Sequence, residues 1–230
     1  MNPGLPERCR ACSARCAEGI AFLSGLSPER EEKIMERAVR RRLLRGSLVF
    51  SEGEEADGIF TVLDGTVRLG LTDAGGREQT VGIFSAGDVF CESFPGEEKR
   101  CPYDAVCLSD CTVCRIPGHA LEEAISDPEV SLRLIGVLAR KLRDANERIH
   151  VLTAGSPRAR IAGFLLSRTR QEGSDTVVLR LEDIASSISL RHETVSRRLK
   201  EMEREGLIEK TGQSAIRILK REELERIFRE

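Results

Sequence analysis

Three cysteines fall within eight residues near the start of the chain, as Cys9-x2-Cys12-x3-Cys16, and five more follow in a 230-residue sequence with only three histidines. Thiolates are soft ligands suited to iron–sulfur clusters and zinc. A two-residue spacing lets one turn of chain present two sulfurs to a single centre. Three such ligands call for a fourth from elsewhere in the fold. Residues Met1–Cys16 contain no apolar stretch of the kind a secretory signal needs. The chain is therefore expected in the cytoplasm, where cysteines serve as metal ligands or redox thiols more often than as bridges.

A second chemistry resides in Leu181–Lys200, which reads as two short helices joined by a tight turn. Ile184, Ala185 and Ile188 face inward on the first helix. Val195 and Leu199 do so on the second, at i and i+4, and the small Ala185 lets the helices cross closely. The opposite face of the second helix carries His192, Glu193, Ser196 and Arg197. Polar groups so placed suit base edges in the major groove: Arg donates two hydrogen bonds to guanine, Glu accepts from cytosine, and Ser contacts a base or phosphate. Gly206 ends the second helix. Ile208–Lys210 and Ala215–Leu219 then pair around Thr211-Gly212-Gln213-Ser214 as a wing. Residues 156–230 hold 16 Lys and Arg against 13 Asp and Glu, a mildly basic part of a chain whose net charge is -2. That asymmetry fits a nucleic-acid reader.

Three kinds of element must position these groups. Ser27-Pro28-Glu29 opens a helix, with Ser27 as its cap and Ile34 and Ala38 on its apolar face. From about Leu43 to Pro117, short strands separated by glycines predict an antiparallel barrel or roll: Leu48–Phe50, Gly58–Leu63, Thr66–Leu71, Gln79–Phe84 and Cys111–Ile116. Asp127-Pro128 starts a long helix running to about Thr153. Its apolar positions Ile135, Leu138, Leu142, Ala145, Ile149 and Leu152 recur at 3, 4, 3, 4, 3, the spacing of a seam that pairs with its own copy. Every one of these positions is apolar, so a dimer is expected whatever the state of the sensor. Ala154-Gly155-Ser156-Pro157 breaks the chain before a further helix, Arg158–Glu172.

Taken together, the sequence resembles the CRP/FNR family of bacterial transcription regulators over nearly its whole length. The resemblance is carried by Gly65-Thr66-Val67 and Ser85-Ala86-Gly87-Asp88-Val89-Phe90 in the roll, by the long helix, and by Glu193-Thr194-Val195-Ser196-Arg197. It implies an α+β fold: a Cys-rich segment at 1–20, a cyclic-nucleotide-binding-like antiparallel β-roll sensor at 21–126, a dimerisation helix at 127–153, and a winged helix-turn-helix at 154–230. The Glu, Ser and Arg of the second helix match the FNR branch. This implies a homodimer on double-stranded DNA reading a palindrome of TTGA-type half-sites, with RNA polymerase as a further partner. His192 departs from the family pattern at the outermost base. Sensors of that branch hold an oxygen- or nitric-oxide-sensitive [4Fe–4S] cluster with an N-terminal triplet and one cysteine just ahead of an Ile-Pro. Here Cys114-Arg115-Ile116-Pro117 matches, so the resemblance implies Cys9, Cys12, Cys16 and Cys114 as ligands. The triplet is shorter between its second and third members than is usual in that branch.

Other effectors fit less well. The Arg-Ser pair that holds a cyclic phosphate in nucleotide-binding members falls on Cys101 and Pro102, and proline has no N–H to offer. Arg100 lies one residue off, and Glu92 would imitate the acid that holds the ribose. Cys91 stands where the family's carbon-monoxide sensor has a haem-ligating cysteine, but Ser93 replaces the histidine that accompanies it. His119 and His150 have no supporting motif. Zinc, thiol redox chemistry or no cofactor are the remaining alternatives. Cys107 and Cys111 read as buried apolar residues, and Cys101, after a charged loop, as exposed. There is no phosphate loop and no Ser/His/Asp arrangement, so an enzyme is not expected. No run of about 18 apolar residues marks a membrane span.

Overall fold

A computed structural model describes residues 7–8, 20, 22–23, 26–55, 58–72, 78–93, 100–212 and 214–230. The chain divides into two compact units, Met1–Arg140 and Lys141–Glu230.

Among the described residues the first unit holds nine strands: β1 (Glu7–Arg8), β2 (Val39–Leu43), β3 (Leu48–Phe50), β4 (Gly58–Asp64), β5 (Thr66–Thr72), β6 (Glu78–Ser85), β7 (Val89–Ser93), β8 (Asp104–Cys107) and β9 (Cys111–Ile116). They form two antiparallel sheets, β1-β2-β9-β4-β7 and β3-β8-β5-β6. Gly65 turns β4 into β5 at φ +87°, and a Cβ there would sit 2.3 Å from the Asp110 carbonyl oxygen, so only glycine allows the hairpin to close on the β8–β9 turn. Helices α1 (Pro28–Met35) and α2 (Gly118–Ile125) flank the roll. Ser27 takes the N-cap position of α1, with ψ 146°, but its side chain makes no capping bond. The helix ends at Met35, short of Ala38, which is nevertheless buried.

Two cores lie on either side of the sheet containing β9. Cys111 and Val113 point into the roll, with Leu43, Val49, Val62, Val67 and a set of aromatic rings. Cys114 and Ile116 point the other way, into a core shared with Ile20, Phe22, Leu23, residues of α1 and α2, and Val130, Leu134 and Val137. The period-2 alternation of a strand is what divides them.

The long helix α3 (Pro128–Thr153) is continuous. In the second unit its last part is joined by α4 (Pro157–Glu172), β10 (Thr176–Val178), α5 (Leu181–Ser187), α6 (His192–Arg204), β11 (Ile208–Lys210), β12 (Ala215–Ile218) and α7 (Arg221–Arg229). The strands form one sheet in the order β10-β12-β11. Ser156 caps α4 by accepting from the Ala159 N–H at 3.1 Å, and Pro157 occupies the first helical turn. Among the described residues no helix is long and apolar enough to cross a membrane.

Candidate nucleic-acid interface and sensor site

Helices α5 and α6 pack through Ile184, Ala185, Ile188, Val195, Leu199 and Met202, all buried. The turn between them is built on Ser189, whose φ of 53° is the one left-handed conformation of a non-glycine residue among the described residues. The Leu190 N–H reaches back to the Ala185 carbonyl at 3.0 Å, the six-to-one bond of a Schellman cap. This fixes the direction from which α6 leaves. Its outward side bears Arg191, His192, Glu193, Arg197 and Lys200, exposed, with Ser196 half-buried beside them. His192 opens the helix, and its Nε2 lies 3.9 Å from Glu182 Oε1 on α5. Arg198 turns aside and pairs with Glu201 at 2.7 Å, while Arg197 stays on the outer face.

Sequence reasoning passed over Arg191 and Lys200. The 4- and 3-residue steps from Glu193 to Arg197 to Lys200 would have placed Lys200 on that face, and both cations suit phosphate contacts. In the wing, Arg217 of β12 pairs with Glu209 of β11. Behind the helix pair, Arg158 of α4 binds both carboxylate oxygens of Glu205. That bond draws the Glu205 carboxyl below its ordinary range and raises the pKa of Arg158.

In the first unit, Cys114 is 0% exposed, on the helical side of β9. Cys9, Cys12 and Cys16 lie outside the described residues, as does the side chain of Cys91. Their flanks are placed, however. Ile20, Phe22 and Leu23 share the core of Cys114. Glu7 pairs with Arg40 on β2, and Arg40 pairs with Cys114 on β9. The strand just before Cys9 is thus two strand spacings, roughly 10 Å, from Cys114. Among the described residues no three His, Cys, Asp or Glu side chains form a metal site. His119 and His150 are exposed, and the His150 ring stacks on Phe228, centroids 4.8 Å apart.

The roll interior differs from the expectation at Cys101. It is only 1% exposed, because its backbone bonds to Gly53 and Glu54 turn the side chain into the roll. Cys107 and Cys111 are buried there too, sharing a hydrogen bond. That bond and burial push the Cys107 thiol far up. The rings of Phe50, Phe60, Phe84, Phe90 and Tyr103 form a connected set with centroids 5.2–6.2 Å apart and occupy the same space. The Arg100 guanidinium is turned onto the Gly53 carbonyl oxygen at 2.9 Å, on the exposed side.

On α3, Leu132, Ile135, Leu142 and Ile149 are 58–70% exposed, and Ala145 is exposed as well. Leu138 instead packs against the core of Cys114, and Leu152 is half-buried. Leu132 lies outside the expected seam. It continues the exposed stripe one step toward the N-terminus.

Residues 40–127 match the cyclic nucleotide-binding domain and residues 159–227 the Crp-like helix-turn-helix domain. The transcriptional activatory protein AadR of Rhodopseudomonas palustris is 32% identical over 206 residues, 86% of this chain and 85% of that protein. The cyclic AMP receptor protein of Thermus thermophilus is 29% identical over 192 residues, 83% of this chain and 89% of that one. The structure of FixK2 from Bradyrhizobium japonicum superposes with a TM-score of 0.74 at 27% identity, over 83% of this chain and 96% of that one. With a sensor-type roll, an exposed helical stripe and a winged helix-turn-helix in this order, the chain belongs to the CRP/FNR family of DNA-binding transcription regulators.

Proposed function

We propose that this regulator is a homodimer that reads a palindrome of TTGA-type half-sites and is controlled by an oxygen- or nitric-oxide-labile iron–sulfur cluster on Cys9, Cys12, Cys16 and Cys114. The observation that carries the sensor reading is the placement of Cys114. It is buried beneath the same side chains, Ile20, Phe22 and Leu23, that anchor the chain after Cys16, and the strand preceding Cys9 adds to the same sheet. Described chain on both sides of the triplet, placed on the sheet and in the core of a buried thiol, fits a four-thiolate site. A cluster held there supplies a bridge between segment and roll that oxygen or nitric oxide can break. The chain's own residues carry the consequence. Val130, Leu134 and Val137 of α3 share the core of Cys114, so repacking of that core bears directly on the helix that pairs with its copy. The resulting shift in DNA affinity is bounded by the difference in cluster binding between the two states.

A cyclic nucleotide suits this roll poorly. The aromatic set and Cys101 fill the interior, proline stands at position 102, and Arg100 is engaged elsewhere. Pairing through Ile135, Leu142, Ala145 and Ile149, flanked by Leu132, Leu138 and Leu152, is supported by the exposed apolar stripe. Glu193, Ser196 and Arg197 then read bases, His192 sits at the outer edge of the half-site, and RNA polymerase is the expected partner at promoters. The protein purified without oxygen should be brown, carry matching iron and sulfide, bleach in air, and lose both on Cys114→Ser. A colourless protein with one zinc per chain refutes the cluster, and a Soret band would favour haem.

A further inference from the structure

Within the second unit, the last turns of α3 meet three other helices through three neighbouring side chains. Glu147 accepts from Arg170 of α4 at 2.7 Å. Arg148 Nη2 donates to the Ser187 carbonyl oxygen of α5 at 3.5 Å. His150 stacks on Phe228 of α7. The three contacts are unequal. The Glu147–Arg170 pair involves a guanidinium that is 63% exposed, and such pairs contribute little. His150 is exposed, and its ring meets the terminal helix of the unit. Arg148 alone of the three reaches the helix pair that reads DNA, at the point where α5 ends. Ser187 is the final residue of α5 and lies two residues before Ser189, where the turn reverses. Arginine keeps its charge in proteins, so this half-buried guanidinium beside a helix-terminal carbonyl complements the helix dipole.

We infer that Arg148 is a positioning residue for DNA recognition, a strut that sets α5 and α6 on the end of the pairing helix and thereby fixes the spacing between the two recognition helices. The inference rests on the homodimer reading above. A dimer gains over a single half-site only if both recognition helices are held at one separation along the groove. A loosened strut leaves each recognition helix intact and removes that gain. A residue needed only for folding would instead weaken every DNA alike.

The test uses the full-length protein and the palindrome it selects from random duplexes. Binding is compared for that palindrome, for spacers one base pair longer and shorter, and for a single half-site, in wild type, Arg148→Met and Arg148→Lys. Arg148→Met should bind the palindrome about tenfold more weakly, lose its spacer preference, and keep half-site affinity within about twofold, a coupling of ordinary size. Arg148→Lys, which retains a donor and the charge, should recover part of the spacer preference. Equal loss on palindrome and half-site, or no loss on either, overturns the inference. Should the Met variant fail to fold, the Lys variant is held to the same comparison: a weakened spacer preference at unchanged half-site affinity supports the strut, and any other pattern overturns it. A selected palindrome without TTGA half-sites counts against the proposed target and leaves the Arg148 comparison intact.

Discussion

Ser189→Gly should stabilise the second unit and leave its DNA preference unchanged. Ser189 sits one residue beyond the C-cap Ile188, at φ 53°, with the Leu190 N–H bonded to Ala185. Helix α6 ends in the same motif: Gly206 at φ 67°, with Leu207 N–H bonded to the Met202 carbonyl at 3.0 Å and Gly206 N–H to Glu203 at 3.0 Å. Helix α4 closes in the same way, with Gly173 at φ 62° and the Ser174 N–H bonded to the Thr169 carbonyl at 3.2 Å, so of the three left-handed caps in this unit only that of Ser189 lacks the residue the backbone favours. A side chain in the left-handed region costs about 1–2 kcal/mol. Glycine returns about 0.4–1 kcal/mol of that through the greater freedom of the unfolded chain. The net gain expected for Ser189→Gly is about 0.5–1 kcal/mol. Gly206→Ser should lose a similar amount. Urea unfolding of both variants, followed by helical circular dichroism, measures the pair. Because the backbone angles are unchanged, the selected DNA sequence should be as well. A Ser189→Gly protein that is less stable than wild type, or that reads a different site, would refute the account of this turn.

The same geometry sets four further outcomes. Leu142→Glu places a charge on the exposed stripe of α3, where the residue is 64% exposed, and should give monomers by sedimentation while each chain stays folded. Phe90→Ala, at a fully buried ring against Phe50, Phe60 and Phe84, should cost about 3–5 kcal/mol in denaturant unfolding. Millimolar cyclic AMP should not raise the melting temperature of the wild-type protein. Glu205→Gln should matter only above the ordinary carboxylate range. Arg158 lowers the folded-state pKa of Glu205, so its contribution is present above the unfolded value and fades as pH falls through the folded one. The pair is exposed, so the loss at neutral pH should be no more than about 0.5 kcal/mol, and pH-dependent unfolding of the variant measures it.

What the sequence revealed depended on how far local pattern agreed with the final packing. Pro128–Thr153 and the α5–α6 pair were legible because their apolar residues repeat at the helical period, and Cys111–Ile116 as a short, mostly apolar run of strand length. Strand β2 was not, since Arg40-Arg41-Arg42 carries no alternation. It is held by pairing with β9, and Arg41 donates to the Val49 carbonyl at 3.0 Å. Helix α2 begins after Pro117 with a glycine, and its buried Ala120, Leu121 and Ala124 make too short a stripe to separate from a loop. The exposed stripe of α3 was one step out of register at its start. Leu138 and Leu132 are equally apolar, and only the presence of a core beside Leu138 decides which one is left outside. Cys101 was misjudged for the same reason: its neighbours are charged, and a long-range pair of backbone bonds turns it inward.

The alternation of β9 also bears on how a signal could travel. A ligand inside the roll would touch the face of Cys111 and Val113, whose core, among the described residues, is built of roll side chains and aromatic rings and includes no residue of α3. A ligand at Cys114 touches the opposite face, where Val130, Leu134 and Val137 pack directly. Filling the roll with Phe50, Phe60, Phe84, Phe90 and Tyr103 stiffens the sheet between the two faces, since close-packed interiors transmit strain rather than absorb it. A change at the helix-facing side of Cys114 would meet α3 directly through Val130, Leu134 and Val137, whereas one inside the roll would have to act through the packed aromatic set. On the proposed cluster reading, the helix-facing side of β9 is the place where a sensor has leverage on α3, because Val130, Leu134 and Val137 pack there.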